Sequence, residues 1–267
     1  MTHASILVVR CDDCGRDWPE NTALTRCSCG GLLAVLHQPV LRGTALRDAL
    51  DRADLPEGSR QIPSGVWRFG PIVQPLAMHQ AVSHPEGNTP LLHRSAIDQW
   101  SGSEGLLLKH EGHNPTGSFK DRGMTVAVTQ AKRIGARAVA CASTGNTSAS
   151  LAAYAAQAGL PAVVFAPAGK IATGKMAQAL AYGARTLLVD GDFDACLQLV
   201  EAAGDALGIY LANSINPFRV EGQKTIVLEM LRQLDWQPPD WIVLPAGNLG
   251  NTAAFGKAIV ELRQAGL

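Results

Sequence analysis

The sequence predicts an α/β protein built on a parallel sheet, preceded by a small module that carries a cluster of cysteines. Short apolar runs such as Ala138–Cys141, Ala162–Phe165 and Thr186–Val189 alternate with longer amphipathic or alanine-rich runs. Glycines stand where the intervening helices should stop, at Gly159, Gly183 and Gly208. Near-continuous apolar strands that alternate with helices belong to a parallel sheet covered on both faces. Cys11, Cys14, Cys27 and Cys29 lie close together near the N-terminal end and require a separate account.

Composition sets the bounds. The chain has 267 residues, 46% of them apolar, enough for a large core in one or two domains. Lys plus Arg and Asp plus Glu both number 23, so the formal charge is zero. Nothing in that balance calls for nucleic acid or an anionic membrane as a partner. No apolar run approaches the roughly 20 residues of a membrane span, and the first residues lack the layout of a secretory signal, so a cytoplasmic location is expected.

Taken in order, Cys11-Asp-Asp-Cys14-Gly and Cys27-Ser-Cys29-Gly-Gly form two cysteine knuckles, with Trp18 between them. Four thiolates at this spacing can converge on one tetrahedral zinc, and a reducing compartment favours metal over disulfides. The short Cys-x-Cys knuckle leaves free thiols as the other reading. Residues 1–37 are therefore taken as a zinc-ribbon-like module that docks on the rest, and 38–82 as connecting structure with a helical pattern around Thr44–Arg52. Cys141 and Cys196, in apolar surroundings, read as buried small hydrophobes.

From Ser83 the patterning strengthens. Gly105–Lys109 is expected as a short buried strand and Met124–Ile134 as an amphipathic helix. The series continues with strand Ala138–Cys141, helix Ala149–Ala158, strand Ala162–Phe165, helix Thr173–Tyr182, strand Thr186–Val189, helix Phe193–Leu207 and strand Ile209–Leu211. Helix Glu221–Leu234, strand Trp241–Leu244 and helix Thr252–Ala265 complete it. Ligand sites in such sheets lie at the carboxyl ends of the strands, in the loops that enter helices.

Three of those loops are chemically loaded. Ser143-Thr-Gly-Asn-Thr-Ser148 offers hydroxyls, an amide and a helix N-terminus, suited to a carboxylate or another anion, although a plain capping loop has the same composition. Pro245-Ala-Gly-Asn-Leu-Gly-Asn-Thr252 presents backbone N–H groups and glycines that let a phosphate approach closely. Asn213-Ser-Ile-Asn-Pro-Phe-Arg219 sets two amides and a guanidinium after a strand, suited to a second anion. Gly169-Lys-Ile-Ala-Thr-Gly-Lys175 imitates the start of a P-loop, but Met176 stands where the magnesium-binding hydroxyl belongs, which argues against nucleotide hydrolysis.

The remaining stretch, His113-Asn-Pro-Thr-Gly-Ser-Phe-Lys-Asp-Arg-Gly123, puts Lys120 in the first turn of a helix. Ser118-Phe-Lys-Asp121 has the pattern of a capping box. A cation there is disfavoured by the helix dipole, which lowers the amine's pKa as imine chemistry requires. By itself this also describes an ordinary solvated lysine at a helix start. The anion-binding loops that follow favour the reactive reading.

Asn114–Gly123, Ser143–Ser148, Asn213-Ser-Ile-Asn-Pro-Phe-Arg-Val-Glu-Gly-Gln-Lys-Thr225 and Gly247-Asn-Leu-Gly-Asn251 together resemble the threonine synthase family. These are pyridoxal-phosphate enzymes of the tryptophan-synthase-β, or fold type II, group. Glu86-Gly-Asn-Thr-Pro-Leu91 and the cysteine ribbon are similar to members as well. The resemblance implies that residues 83–124 and 236–267 are two parts of a large cofactor domain and that 125–235 form a small α/β domain, each a three-layer parallel-sheet unit. It implies a Schiff base at Lys120, with Phe119 lining the ring and Asn146 bonded to the cofactor's phenolic oxygen. It further implies a phosphate cradle of Gly247, Asn248, Leu249, Gly250 and Asn251. Ser143 and Thr144 would take the substrate carboxylate, and Thr147, Asn213 and Arg219 a phosphate on the substrate.

The implied activity is a carbon–oxygen lyase converting O-phospho-L-homoserine and water to L-threonine and phosphate, with pyridoxal 5'-phosphate and a structural zinc as cofactors. Other readings of the same site are β-elimination or β-replacement on serine, threonine or O-phosphoserine, and a catalytically silent relative. A small phosphorylated amino acid is the expected partner, without nucleic acid or membrane, and the sequence leaves room for a homodimer without specifying one. The family continues past a helix like Thr252–Ala265, supplying further sheet and the hydroxyl that faces the pyridine nitrogen. Either these residues are a fragment or they form a shortened relative, and none of residues 1–267 is assigned as the pyridine partner.

Overall fold

A computed structural model describes residues 6–38, 41–52, 64–169 and 173–267. Pro39, Pro56, Gly58 and Pro63 of the expected connecting segment, and the middle of the Gly169–Lys175 run, lie outside the described residues. At the N-terminal end β1 (Ile6–Cys11), β2 (Asp17–Trp18) and β3 (Leu33–Gln38) form an antiparallel sheet in the order β2-β1-β3. The cysteine knuckles occupy its turns. Helix α1 (Gly43–Arg52) and a helical turn at Trp67–Phe69 running into α2 (Gly70–Val73) follow.

Next come β4 (Leu91–His93), α3 (Ser95–Ser101) and β5 (Leu107–Lys109). Strand β5 is shorter than expected and is not buried. It pairs antiparallel with β4 alone, and Leu107 and Leu108 remain exposed because a two-stranded ladder has no second layer over its outer side.

The central sheet holds four parallel strands in the order β8-β7-β6-β9: β6 (Ala138–Ala142), β7 (Ala162–Pro167), β8 (Arg185–Val189) and β9 (Ile209–Leu211). They are connected through α5 (Asn146–Ala158), α6 (Thr173–Ala181) and α7 (Phe193–Leu207). Alternate residues divide between the faces. Val139, Cys141 and Val164 enter a core with α4 (Lys120–Arg133) and α5, while Ala140, Ala142 and Phe165 meet Cys196 and Val200 of α7. The result is the three-layer arrangement that the apolar runs call for. Both isolated cysteines, Cys141 and Cys196, are fully buried.

Helix α8 spans Pro217–Gln233 and starts earlier than the apolar pattern suggests. Asn216 caps it, accepting from the N–H groups of Phe218 and Arg219, and Pro217 occupies the first helical position where no N–H is needed. Helix α9 covers Gly250–Ala265. The expected strand at Trp241–Leu244 does not form. Its alternation is present, with Trp241 86% and Val243 91% exposed while Ile242 and Leu244 touch the core, but no described strand is hydrogen-bonded to it. A strand is defined by its partner as much as by its pattern.

The ribbon, α1, α2, α8 and α9 share one apolar core that includes Val9, Val35, Leu46, Phe69, Val227 and Leu262. Polar ties reinforce the docking. His37 of β3 bonds Glu221 of α8 at 2.6 Å, Lys224 bridges Glu221 (2.5 Å) and Glu261 (2.6 Å), and Lys257 of α9 reaches both Glu221 and the Val35 carbonyl. Gln130 of α4 donates to the Glu20 carbonyl of the ribbon at 2.7 Å. No helix among the described residues is long and apolar enough to cross a membrane.

Helices α4 and α8 cross with their backbones in contact. A Cβ at Gly222 would lie 1.8 Å from the Arg122 carbonyl oxygen, and one at Gly123 would lie 2.9 Å from that of Arg219. Beside this crossing Arg122 is fully buried and grips Glu111 through Nε (2.7 Å) and Nη2 (2.8 Å), with Nη2 also 2.9 Å from Glu229. Lys109 Nζ lies 2.5 Å from Glu229. Burial pushes the Glu229 carboxyl up, but the charge and hydrogen bonds of Arg122, with those of Lys109, outweigh it and hold the group down at about 2.

Two outcomes follow. Gly222→Ala forces the helices apart and lowers unfolding free energy by roughly 3 kcal/mol, measured as a lower urea midpoint at unchanged slope. Because the Glu229 pKa is depressed, its contribution is present above its ordinary 4.5 and is lost as pH falls toward about 2. Stability measured across that window should fall in the parent chain and change less steeply in Glu229→Gln.

Candidate active site

Lys120 is the first residue of α4, as expected, but the capping box does not close. Ser118 Oγ accepts from the Lys120 N–H at 3.3 Å, while the Asp121 carboxylate turns back to the Thr116 N–H (2.7 Å) and hydroxyl (2.6 Å). Gly117, at φ +80°, folds the loop so that Thr116 supplies nearer donors than Ser118. Asp121 also accepts from Ser150 of α5 at 2.6 Å, and Lys175 of α6 donates to the Thr116 carbonyl at 2.9 Å. The lysine loop is thus tied to two helices of the parallel sheet.

Lys120 is half-buried, with Nζ 4.2 Å from the centre of the Phe119 ring. Burial, and then the neighbouring Arg219 charge, bring its pKa down to about 8. A useful fraction of this amine is therefore neutral and nucleophilic near neutrality.

The chain order of the strands creates a switch point. From β6 the chain moves outward through β7 and β8, then returns to place β9 on the other side of β6. Their carboxyl ends open the crevice where ligands bind in such sheets. The loop after β6 enters α5 through Gly145, which makes no side-chain cap. Ser143 Oγ accepts from Gly145 N–H at 3.2 Å and keeps its own proton for donation, Thr144 and Thr147 are partly exposed, and Asn146 is exposed.

Across the crevice Asn213 bonds the Ala142 N–H and carbonyl, both at 3.1 Å, so that one amide clips the two loops together. Arg219 is 1% exposed and donates through Nη1 to the Ala212 carbonyl at 3.0 Å, while its Nε and Nη2 have no partner. Burial lowers its pKa to about 10. Buried guanidinium nitrogens without acceptors are costly and call for an anion.

Gly247, Asn248 and Leu249 are exposed at the start of α9. Leu249 takes the left-handed conformation at φ 55° and no side chain caps the helix, which leaves first-turn N–H groups available. Gln223 of α8 donates to Asn251 Oδ1 at 2.8 Å. A partly open cavity of about 100 Å³ lies elsewhere, lined by His37, Leu46, Ile72 and Leu262, and contains none of these residues.

In the ribbon Cys11 and Cys29 Sγ stand 3.5 Å apart, Cys14 and Cys27 Sγ 3.7 Å apart, and all four sulfurs lie within 4.8 Å of one another. All four are free thiols. Zn–S bonds of about 2.3 Å place tetrahedral sulfurs roughly 3.8 Å apart, so the cluster fits a zinc ion.

Residues 82–266 match the sequence profile of the family described as pyridoxal-phosphate dependent enzyme. The chain belongs to this family. Its curated relatives include the threonine synthases of Methanocaldococcus jannaschii, 44% identical over 98% of this chain and 62% of the relative, and of Methanosarcina acetivorans, 45% identical over 97% and 61%. The threonine synthase of Mycobacterium tuberculosis is 53% identical over 68% of this chain and 50% of its own length. The chain therefore spans about three-fifths or less of these relatives.

Among solved structures, Escherichia coli threonine synthase superposes with a TM-score of 0.69 over 94% of this chain and 60% of its own, at 22% identity. Maize serine racemase gives 0.60 over 77% and 60%, at 21%. These likenesses establish the α/β fold of fold type II pyridoxal-phosphate enzymes. The residues present also fit the family's cofactor, with a depressed amine beside an aromatic ring and an uncapped helix N-terminus whose preceding residue is strained.

The roles of Asp121, Lys175 and Gln223 were not visible in the sequence, because each depends on contacts between distant elements. Replacing Arg219 by Leu should raise the Lys120 midpoint from about 8 toward its ordinary 10.5. Trapping of Lys120 with an aldehyde and borohydride, quantified by mass spectrometry along a pH series, measures that shift.

Proposed function

We propose that this chain carries the catalytic lysine and both anion sites of a threonine synthase, an enzyme that converts O-phospho-L-homoserine and water to L-threonine and phosphate. The observation that carries the reading is Arg219, a buried guanidinium with two unpartnered nitrogens and a charge that lowers the pKa of Lys120. Such a pair suits a substrate that is an amine at one end and a phosphate at the other. Bound pyridoxal phosphate supplies an aldehyde for amine capture and a ring that draws electrons from bonds at the substrate's α-carbon.

The chain's own residues do the rest. Lys120 would hold the cofactor, and its neutral amine is placed to accept the proton from the substrate's α-carbon. Phe119 would line the ring's surroundings, Asn146 would bond the phenolic oxygen, and Gly247, Asn248, Leu249, Gly250 and Asn251 would receive the cofactor phosphate at the start of α9. Ser143 and Thr144 hold the substrate carboxylate against the N-terminus of α5. Arg219 with Thr147 holds the departing phosphate, and Asn213, whose amide is engaged with Ala142, keeps that side of the crevice in place.

In the protein that contains this chain, Lys120→Ala should lower threonine formation from O-phospho-L-homoserine at least 1,000-fold, on the order seen when a nucleophile is removed. Arg219→Met should act on the phosphorylated substrate through both kcat and KM. Release of phosphate from O-phosphoserine, with no threonine from O-phospho-L-homoserine, would replace this reading with β-elimination.

The proposal extends to the ribbon, where Cys11, Cys14, Cys27 and Cys29 hold one structural zinc. Elemental analysis should give one zinc per chain, lost in Cys11→Ser with Cys27→Ser, and chelation should lower Tm.

A further inference from the structure

We propose that Gln223 is a positioning residue for the cofactor phosphate, turning the Asn251 amide so that its NH2 faces the anion. The inference rests on the reading of Gly247–Asn251 as the phosphate cradle. Three helices meet at this side chain. Gln223 leaves α8 and is buried, its Cγ is 3.3 Å from where a Cβ at Gly123 of α4 would lie, and its Nε2 is 3.7 Å from the equivalent position at Gly250 of α9. Both neighbours are glycines; a Cβ at Gly123 would crowd the side chain, while one at Gly250 would only touch it. From this position Nε2 donates to Asn251 Oδ1 at 2.8 Å.

The chemistry of an asparagine amide gives that bond its consequence. One side of the group accepts and the other donates twice, and an anion can use only the donating side. A free asparagine in the first turn of α9 could present either side. A donor fixed on Oδ1 settles the choice, leaving Nδ2 to act with the uncapped N–H groups of the helix. The donor comes from the helix that also carries Arg219, so one rigid element orients a group in each of the two anion sites.

The test compares the affinity of the protein containing this chain for pyridoxal phosphate with that for pyridoxal, which lacks the phosphate. Gln223→Met should weaken pyridoxal phosphate about tenfold and leave pyridoxal unchanged. Gln223→Glu, close in volume but only an acceptor, should weaken it further, and it serves where the methionine variant folds poorly. In an Asn251→Ala background Gln223→Met should have no additional effect, since the pair acts as one unit. Equal weakening of both ligands, or additive losses in the double variant, would overturn the proposal. Parent protein that binds pyridoxal phosphate no better than pyridoxal would overturn the phosphate-cradle reading and the role of Gln223 with it.

Discussion

The crossing of α4 and α8 at Gly123 and Gly222 is the constraint on which the site depends. Backbone contact between the helices sets the N-terminal turn of one beside that of the other, so that Lys120 and Arg219 share a field. A side chain at either glycine would push the two helices, and with them the two functional groups, apart. In the proposed reading the cost of holding these two basic groups near each other is met by anionic ligands.

Counter-charge is arranged beside the crossing rather than at the ligand side. Arg122, one residue from Gly123, is surrounded by Glu111 and Glu229, which bind it to the turn after β5 and to the C-terminal half of α8. Carboxylates are therefore present close to the site, yet they are occupied by Arg122 and Lys109. Arg219 is left with carbonyl contact alone. The ribbon is tied to the same helix pair where His37 meets Glu221 of α8 and where Gln130 of α4 donates to the Glu20 carbonyl.

The parallel sheet was legible because apolar strands and glycine helix stops are local signals, and β6 to β9 lie close to where those signals put them. The depressed amine at Lys120 was also foreseen, though for an incomplete reason. The helix dipole is readable from position, whereas burial and the Arg219 charge require the fold. Tertiary competition explains the misses. Ser118 and Asp121 have capping-box spacing, but Thr116 offers Asp121 closer donors once Gly117 turns the loop. Trp241–Leu244 has strand alternation without a hydrogen-bonded neighbour, a condition periodicity cannot report. Strand β5 was expected within Gly105–Lys109, whereas its short partner β4 and helix α3 carry too little periodic pattern to announce themselves.

The amide of Asn213, bridging both backbone groups of Ala142, makes the loops after β6 and β9 a single mechanical piece. In the proposed reading Ser143 and Thr144 of one loop grasp a carboxylate, while Arg219, in the first turn of the helix entered from the other, grasps a phosphate with Thr147. Their separation is then a fixed gauge, set by the spacing of two neighbouring strands and not by the ligand. A gauge of that kind measures the number of carbons between the two charged ends of a substrate. Discrimination between phosphoamino acids with two and with three carbons separating carboxylate from phosphate ester would then reside in the sheet itself, with no side chain needed to contact the atoms that differ.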